Sequence, residues 1–382
     1  MKGKPIMNFK INKSKLYNAL MIVSRAVSPN SPVPTLSGIK VQASKDGLQL
    51  TGSDADISIE MNLSNALDED LGLSILEEGS IVIDSKYLLD IVKKMDADEI
   101  QVEIIDGTLT RFSGNKVEFK INGYRSSDYP QIDFSRPDTS MTLNAGLLTS
   151  MIEETVFATS SKETRPVLMG VNFQSDGNQL NITATDSYRL AKKVVDLKSN
   201  AFNITVPSKS LNEVKAIFNE ADKEINIYLS DKKIQFQSNN ILLQSRLLDG
   251  GYPETERLIP KDFHYEMVIN RSALMSAIDR TSFIKTDNMS IIRLLINNKD
   301  DITVTNKSQE IGEFREDMNA ISYKGDPLDI SFSGNYVMDA CRSLKCENVR
   351  IKFTGDMKPF ILTKEEKEED LIQLVLPVRT YN

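Results

Sequence analysis

The sequence has no tryptophan, one histidine and two cysteines among its 382 residues. Because aromatic residues make up only 7% of the chain, a stacking platform for single-stranded nucleic acid is not expected. Cys341 and Cys346 have no partner ligands in the sequence, so we interpret them as reduced packing residues of a cytoplasmic protein. His264 lies in a predicted linker, where a nucleophile–histidine–carboxylate centre would have to form around a surface residue. This scarcity argues against a nucleophilic or zinc-dependent enzyme.

Long apolar runs and the common ligand-binding motifs are missing as well. No segment is long and apolar enough to cross a bilayer. Residues 1–6 carry no apolar signal core, and we interpret them as an extension ahead of a natural start at Met7. The sequence has no phosphate-binding glycine loop, dinucleotide fingerprint, H-E-x-x-H motif, zinc finger or RNA-recognition signature. We therefore expect no cofactor, no metal and no sequence-specific reading of nucleic acid.

What the chain does contain is one pattern that occurs three times, about 125 residues apart, which is typical of a repeat architecture. Each copy begins with an asparagine that is followed by apolar residues four and eight positions later. An asparagine at a helix start accepts hydrogen bonds from free amide groups, and this spacing places one apolar stripe against a core. The three helices are predicted at Asn12/Leu16/Leu20, Asn144/Leu148/Ile152 and Asn270/Leu274/Ile278.

A strand, a second helix and a further strand follow in each copy. The first of these strands alternates apolar and polar residues, which indicates a sheet with one buried face. Its apolar positions are Leu48/Leu50, Leu180/Ile182 and Ile302/Val304. The second helices are predicted over 84–91, 207–214 and 333–340, and the strands after them over 100–104, 225–229 and 349–353.

Segments rich in turn-forming and strand-ending residues separate the copies, at 127–138 and 249–260. We therefore predict three domains, each large enough for a core of its own: 1–136, 137–262 and 263–382. The predicted fold class is α+β, with two helices and antiparallel sheets in every domain.

The net charge of −8 argues against a protein that coats nucleic acid, but the basic residues are unevenly distributed. Many lie on or beside the repeat helices: Lys13, Lys15, Arg25, Lys86, Lys93, Lys94, Lys209, Lys215, Arg271, Arg280, Arg342 and Lys345. Any one of them is most simply a solvated helix residue. Their shared placement in three copies favours a surface that contacts phosphates without reading bases.

Carboxylates are the remaining candidates for catalysis. Asp54, Asp56 and Asp186 could act as acid and base or bind a metal ion. Because Asp54 and Asp186 occupy equivalent strand ends in two copies, a structural turn is the simpler interpretation.

Three equal domains in a row can curve into an arc with helices on one side and sheets on the other. If each helix occupies about 10 Å of inner circumference, six helices leave a hole of roughly 9 Å, and twelve helices from two chains leave roughly 28 Å. Duplex DNA is about 20 Å wide, so only the two-chain ring would admit it. The repeat therefore predicts a sliding tether of two chains, with helices lining the hole.

Four segments in order resemble the bacterial DNA polymerase III beta subunit family, the sliding clamps. They are Ala-Thr-Asp-Ser-Tyr-Arg-Leu-Ala at 184–191, Ser-Arg-Leu-Leu-Asp-Gly-Gly-Tyr-Pro at 245–253, Ser-Leu-Lys-Cys-Glu-Asn-Val-Arg at 343–350 and Leu-Val-Leu-Pro-Val-Arg at 374–379. The resemblance covers the chain from Met7 onward. It implies a head-to-tail homodimeric ring of six similar clamp domains around double-stranded DNA, without catalytic activity of its own.

The family's partners are expected here too. They are the DNA polymerase III alpha subunit, to which the ring gives processivity, an ATP-driven clamp loader, and other polymerases and repair proteins that carry clamp-binding peptides. The expected location is the cytoplasm, in association with the nucleoid.

The resemblance also implies one peptide pocket in each chain, between the second and third domains. Its matching positions are Leu168, Gly170, Thr185, Tyr188, Arg189, Leu190, Pro253, Arg257, Leu258, Ser333, Tyr336, Pro359, Leu374, Val375, Leu376, Pro377, Val378 and Arg379. The expected DNA-contacting residues are Arg25, Lys86, Arg165 and Lys209, whereas one DNA-contacting arginine of the family is matched here by Asn30.

The dimer seam that the resemblance implies places Phe119 and Ile121 of one chain against Phe283 and Ile284 of the other. Two alternatives stay open at this stage. One is a repeated α+β scaffold that binds peptides without encircling DNA, and the other is an enzyme that uses Asp54, Asp56 or Asp186.

Overall fold

The structure is a computed structural model that describes residues 7–285, 289–366 and 370–379. The proposed extension at 1–6 and the final residues 380–382 lie outside this range. Contacts divide the chain into two compact units, residues 1–146 with 213–247 and residues 147–212 with 248–382. Each unit is described separately below.

The described residues contain six α-helices, two in each copy of the sequence pattern. They are α1 (Lys13–Val23), α2 (Ser85–Lys94), α3 (Ala145–Thr155), α4 (Ser208–Ile217), α5 (Arg271–Arg280) and α6 (Gly334–Leu344). The three predicted asparagine caps are confirmed. The side-chain oxygens of Asn12, Asn144 and Asn270 accept backbone N–H groups of Lys15 at 3.2 Å, Gly146 at 2.9 Å and Ala273 at 3.0 Å.

The strands are more numerous than the pattern predicts. In the first copy they are β1 (Asn8–Asn12), β2 (Gly38–Ser44), β3 (Gly47–Ser53), β4 (Ile57–Leu63), β5 (Ser74–Glu77), β6 (Gly79–Asp84), β7 (Glu99–Asp106), β8 (Leu109–Gly114) and β9 (Val117–Asn122). In the second they are β10 (Thr139–Asn144), β11 (Gly170–Ser175), β12 (Gln179–Thr185), β13 (Arg189–Asp196), β14 (Phe202–Pro207), β15 (Glu224–Leu229), β16 (Lys233–Ser238) and β17 (Ile241–Arg246). In the third they are β18 (Tyr265–Asn270), β19 (Ile291–Asn298), β20 (Asp301–Ser308), β21 (Gly312–Met318), β22 (Ser322–Lys324), β23 (Leu328–Ser333), β24 (Asn348–Phe353), β25 (Phe360–Lys364) and β26 (Leu371–Val375).

The first unit contains two antiparallel sheets. One has the order β5-β1-β7-β8-β9, and the other has the order β10-β15-β16-β17-β4-β3-β2-β6. The second sheet is continuous because β17 pairs with β4, with Leu243 opposite Ile59. Leu16 and Leu20 of α1 and Leu88 and Val92 of α2 are buried, as the apolar stripes of the two helices require.

The second unit has the same organisation. One sheet has the order β14-β11-β12-β13-β26-β25-β24-β18-β22, and the other has the order β21-β20-β19-β23. Here β26 pairs with β13 in the way that β17 pairs with β4. A large apolar core formed by α5, α6 and the adjoining strands includes Leu274, Ile278, Val337 and Phe353.

The two strand pairings explain why the contacts give two units although the sequence pattern gives three copies. The middle copy contributes β15–β17 to a sheet of the first unit and β11–β13 to a sheet of the second. Backbone hydrogen bonds of a sheet run through both boundaries between copies, so the boundary in sequence is not a boundary in packing.

Candidate functional site

The C-terminal segment lies along the edge of β13 in the second unit. Arg189 pairs with Val375 and Leu190 with Leu374. After β26 the chain continues in an extended conformation, and the Leu376 N–H donates to the Tyr188 carbonyl oxygen at 3.0 Å. Pro377 then forms a bridge with Phe332, and the Val378 N–H donates to the Ser331 carbonyl oxygen at 2.7 Å. The segment thus connects β13 of the second copy with β23 of the third.

A small apolar cluster lies beneath this connection. Leu190, Ile361 and Leu374 are buried, and Ile259, Phe263, Ile372 and Leu376 pack against them while keeping part of their surface exposed. A partly covered aliphatic surface of this kind suits the apolar anchors of a short peptide.

The turn before β13 is held by its own hydrogen bonds. Asp186 Oδ1 accepts the N–H groups of Tyr188 at 2.9 Å and Arg189 at 3.0 Å, and Ser187 has a φ of 78°. The Thr185 N–H donates to the Tyr252 hydroxyl at 3.0 Å, which attaches the segment 249–260 to this turn. Burial raises the pKa of Tyr252 far above its usual range, so this hydroxyl stays protonated.

Arg189 connects the turn with α6. Its Nε lies 3.0 Å from Asp186 Oδ2 and its Nη1 lies 2.7 Å from Asp339 Oδ2. The guanidinium carbon is 4.6 Å from the centre of the Tyr336 ring and 5.4 Å from that of Phe157. Burial raises the pKa of Tyr336, and the nearby Asp186 carboxylate adds to this effect.

The predicted pocket residues divide by exposure into two groups. Tyr188 is 55% and Leu258 51% exposed, and Pro253, Arg257 and Arg379 are also exposed. Arg189, Tyr336, Pro359, Leu376, Pro377 and Val378 are half-buried. These residues have side-chain surface that a ligand could contact.

The remaining predicted pocket residues are buried: Leu168, Gly170, Thr185, Leu190, Ser333, Leu374 and Val375. They support the site rather than present a side chain to solvent. Gly170 lies where there is no room for a side chain. A Cβ on this residue would lie 2.6 Å from the Val206 carbonyl oxygen and 2.7 Å from Leu248 Cδ1. Its lack of a side chain permits this close approach.

Asp54 forms the same kind of turn in the first copy. Its Oδ1 accepts the N–H groups of Asp56 at 3.1 Å and Ile57 at 2.9 Å, and Ala55 has a φ of 81°, similar to that of Ser187. The repeated turn agrees with the structural interpretation of both aspartates. Across the parts of the chain that the structure describes, no group of three or more histidine, cysteine, aspartate or glutamate residues is placed to hold a metal ion.

The basic helix residues are paired more often than the sequence pattern suggests. Arg25 Nη1 lies 2.8 Å from Glu213 Oε2, Lys15 lies 2.6 Å from Asp68, and Arg280 binds Glu316 through two nitrogens. Arg271 donates instead to the carbonyl oxygens of Cys346 and Cys341 near the end of α6. The positive charges of Lys15, Arg25 and Arg280 are therefore compensated by carboxylates within the chain.

The four predicted DNA contacts all lie at the surface. Lys86, Arg165 and Lys209 are exposed, and so is Asn30, which the resemblance matches to an arginine. Arg25 keeps 44% of its side chain exposed but is engaged with Glu213, so a phosphate would have to compete with that carboxylate.

The predicted seam residues differ in exposure. Phe119 and Ile121 are half-buried on β9, a terminal strand of its sheet, and Phe283 is 65% exposed. Ile284, in contrast, is only 3% exposed within the single chain. Its backbone N–H donates to Thr281 and its carbonyl oxygen accepts from buried Asn306, so it is a core residue. The single chain thus leaves little of its surface for a partner, and its place in the seam stays a prediction.

The histidine and the two cysteines differ in exposure. His264 is exposed just before β18, Cys341 is buried and Cys346 is half-buried. Burial raises the pKa of the Cys341 thiol to about 12, so it is unreactive at neutral pH. None of the helices within the described ranges is both long and apolar enough to cross a membrane.

Sequence reasoning missed three residues of the site, namely Phe157, Tyr252 and Asp339. Tyr252 belongs to the segment 245–253 that resembles the sliding clamps, yet a buried hydroxyl has no signature in sequence. Asp90, Glu213 and Asp339 occupy the same position of the second helix in the three copies, and the last two bind an arginine. That repeated acidic position was the available signal.

Comparison with known protein families covers nearly the whole chain. Residues 7–133 match the DNA polymerase III beta subunit, N-terminal domain, residues 142–254 the central domain, and residues 256–379 the C-terminal domain.

Individual proteins give the same result. The beta sliding clamp of Bacillus subtilis is 36% identical over 379 residues, which covers 98% of this chain and 100% of that protein. The beta sliding clamp of Staphylococcus epidermidis is 35% identical over 378 residues, with 98% and 100% covered. Among solved structures, the B. subtilis DNA polymerase sliding clamp aligns with a TM-score of 0.94 at 36% identity, covering 98% of this chain and 100% of that one. The Streptococcus pyogenes beta subunit aligns with a TM-score of 0.92 at 33% identity and the same coverage.

Proposed function

This chain belongs to the bacterial DNA polymerase III beta subunit family, the sliding clamps, and we propose that two copies close head to tail around duplex DNA and tether the replicative polymerase. The family is a non-catalytic processivity factor built from three tandem clamp domains, each with helices and antiparallel sheets. We infer that this chain works in the cytoplasm at the nucleoid.

The ring is supported by a pairing between copies that occurs twice within the chain. The two strands that would form a third such pairing have no partner among the described residues. β4 pairs with β17, and β13 pairs with β26. The equivalent strands β21 and β9 are each terminal in their sheets, with no partner on the outer side among the described residues. Open strand edges are templates for pairing with another chain. Two copies would satisfy both edges through two identical seams.

The repeat also predicts the register of this seam. Thr51 and Thr305 occupy equivalent positions in the first and third copies. Thr51 pairs with Glu60 and Thr305 pairs with Arg315, so Arg315 is the equivalent of Glu60. Val117 is the first residue of β9 and Ile241 is the first residue of β17, and each follows a tight hairpin turn. The next residues, Glu118 and Leu242, are therefore equivalent. Since Glu60 pairs with Leu242, Arg315 should pair with Glu118 of a second copy.

The same register predicts complementary neighbours on both faces of the strand pair. Phe314 would lie opposite Phe119, and Glu313 opposite Lys120, next to the Arg315–Glu118 pair. An aromatic pair flanked by two opposite-charge pairs favours this register over its neighbours. The exposed ring of Phe283 would add to the apolar part of the seam.

We propose that DNA is held through phosphates by exposed basic residues, with Lys86, Arg165, Lys209 and Arg25 as the candidates. Contacts of this kind fix no register on the duplex, so the ring can slide. We further propose that the surface beside Tyr188, Leu258, Leu376 and Tyr336 receives extended peptides from the polymerase alpha subunit, the clamp loader and other clamp-binding proteins.

Retention on DNA of defined topology tests this function. The protein is loaded on a closed circular duplex with its clamp loader and ATP, and the complex is separated from free protein by gel filtration at about 0.3 M salt. We expect the protein to stay with the circle and to be lost once a restriction enzyme linearises it, because topological linkage needs no strong contact. Equal retention on both forms would contradict encirclement. Loss from both forms would favour a peptide-binding scaffold that does not encircle DNA.

Substitution of the turn aspartates tests the enzymatic alternative. Asp54→Asn and Asp56→Asn should leave polymerase processivity unchanged, since neither carboxylate takes part in the proposed function. Asp54→Asn should still lower the free energy of unfolding by about 1 kcal/mol, because it weakens acceptance of two turn amides. Primer extension on a long template and urea unfolding measure the two effects. A folded Asp56→Asn protein that lost processivity would count against a non-catalytic clamp.

A further inference from the structure

Two carboxylates and two aromatic rings hold the Arg189 side chain in place. Asp186 and Asp339 engage Nε and Nη1, while the rings of Tyr336 and Phe157 lie near the guanidinium. Only 14% of the side chain is exposed. A planar guanidinium that is both hydrogen-bonded and stacked has little freedom to reorient.

One nitrogen of this guanidinium is not used. In the part of the chain that the structure describes, Nη2 makes no hydrogen bond, whereas Nε and Nη1 both do. A guanidinium has five N–H donors in a rigid fork, so fixing two nitrogens also fixes the direction of the third.

The charges around Arg189 are balanced. Asp339 also receives Arg342, whose Nη1 lies 3.4 Å from Oδ1. Two carboxylates thus face two guanidinium groups. A ligand group at Nη2 therefore meets an oriented donor without an excess of positive charge, which suits a neutral carbonyl oxygen better than a further carboxylate.

We propose that Arg189 donates from Nη2 to a carbonyl oxygen of the bound peptide, and that Asp339 is the positioning residue that aims this donor. The inference rests on the proposed peptide site. It adds an oriented polar contact beside the apolar cluster of Leu190, Ile361 and Leu374, and such a contact would fix where the extended peptide sits along the groove.

The preceding copy supplies a matched comparison. Glu213 occupies the position of Asp339 on the second helix and pairs with Arg25 at 2.8 Å. The position of Arg189 is taken in the first copy by Ile57, which is 1% exposed. The acidic helix residue is shared by all three copies, with Asp90 in the first, whereas the guanidinium beside two aromatic rings is that of Arg189. Glu213→Gln breaks an ion pair of the same kind without touching the proposed donor.

The experiment measures the binding of fluorescein-labelled ten-residue peptides that carry leucine and phenylalanine anchors, by anisotropy, to the full-length chain. We expect Asp339→Asn and Arg189→Lys each to weaken binding about tenfold, since one charge-assisted hydrogen bond is lost or misaligned. Asp339→Glu should restore affinity to within about threefold of the native chain, and Glu213→Gln should leave it unchanged. Thermal unfolding of each variant confirms that folding is intact.

A second series locates the acceptor. Replacing single peptide amides by esters weakens individual carbonyl acceptors. One ester should lose about tenfold in affinity for the native chain and much less for Arg189→Lys. An ester loss of equal size in both proteins, or a folded Asp339→Asn protein with native affinity, would overturn the Arg189 inference alone. Failure of the native chain to bind any labelled peptide would overturn the peptide site and this inference with it.

Discussion

Phe283→Asp is expected to convert the dimer into monomers. The ring is 65% exposed in the single chain, so its substitution leaves the core intact, while a carboxylate in the apolar seam would be buried without a partner. We expect the dissociation constant to rise by at least about a hundredfold. Sedimentation equilibrium over a range of protein concentrations gives the mass directly.

Ile321→Asp is the matched control for this substitution. It places the same charge on another exposed apolar residue of the third copy, 53% exposed, outside the proposed seam. It should remain dimeric. Ile284→Asp, in contrast, should unfold part of the chain because that residue is buried. An unchanged dimer mass for folded Phe283→Asp would rule out the seam.

Charge exchange tests the register of the same seam. Lys120→Glu and Glu313→Lys should each weaken the dimer, because like charges would then face each other across the strand pair. The double variant should recover much of the native affinity. If it were weaker than either single variant, the two residues would not be neighbours, and the register derived from the repeat would be wrong.

Deletion of residues 377–382 is expected to abolish peptide binding and leave the dimer intact. The deletion removes the Pro377 bridge to Phe332 and the Val378 hydrogen bond to Ser331, so the segment after β26 loses its attachment to β23. Affinity for labelled peptide should fall by at least about a hundredfold. Sedimentation should give an unchanged mass, because β9 and β21 are not affected.

A shorter deletion serves as its control. Removing 380–382 alone keeps Pro377 and Val378 with their contacts, and peptide affinity should stay within about threefold of native. Undiminished affinity after the longer deletion would place the site elsewhere on the chain.

The helices were the most predictable part of this fold. Asn12, Asn144 and Asn270 cap helices at the predicted positions because capping is local chemistry and needs no tertiary information. Short strands such as β5 and β22 were missed, since their pairing depends on distant segments. The contact division into two units was not foreseen for the same reason.

The sequence predicts which positions belong to the site, but not which of their side chains are buried or paired. The resemblance assigns Leu190, Leu374 and Arg189 to one site, and the structure places them on paired strands, but the resemblance does not separate buried residues from exposed ones. Ile284 was assigned to a seam although it packs inside its own chain. Arg25 was assigned to DNA although Glu213 engages it. Neither burial nor an ion pair between residues far apart in sequence leaves a periodic signal.

The continuous ladder between β4 and β17 has a consequence for any attempt to study one domain by itself. A fragment that ends at residue 136 would leave one edge of β4 unpaired, because residues 57–61 would lose the backbone pairing with β17. An unpaired strand edge can pair with another chain, so the fragment should self-associate rather than behave as an independently folding domain. The three copies are separable in the sequence but not in the sheets, because β17 pairs with β4 and β26 with β13.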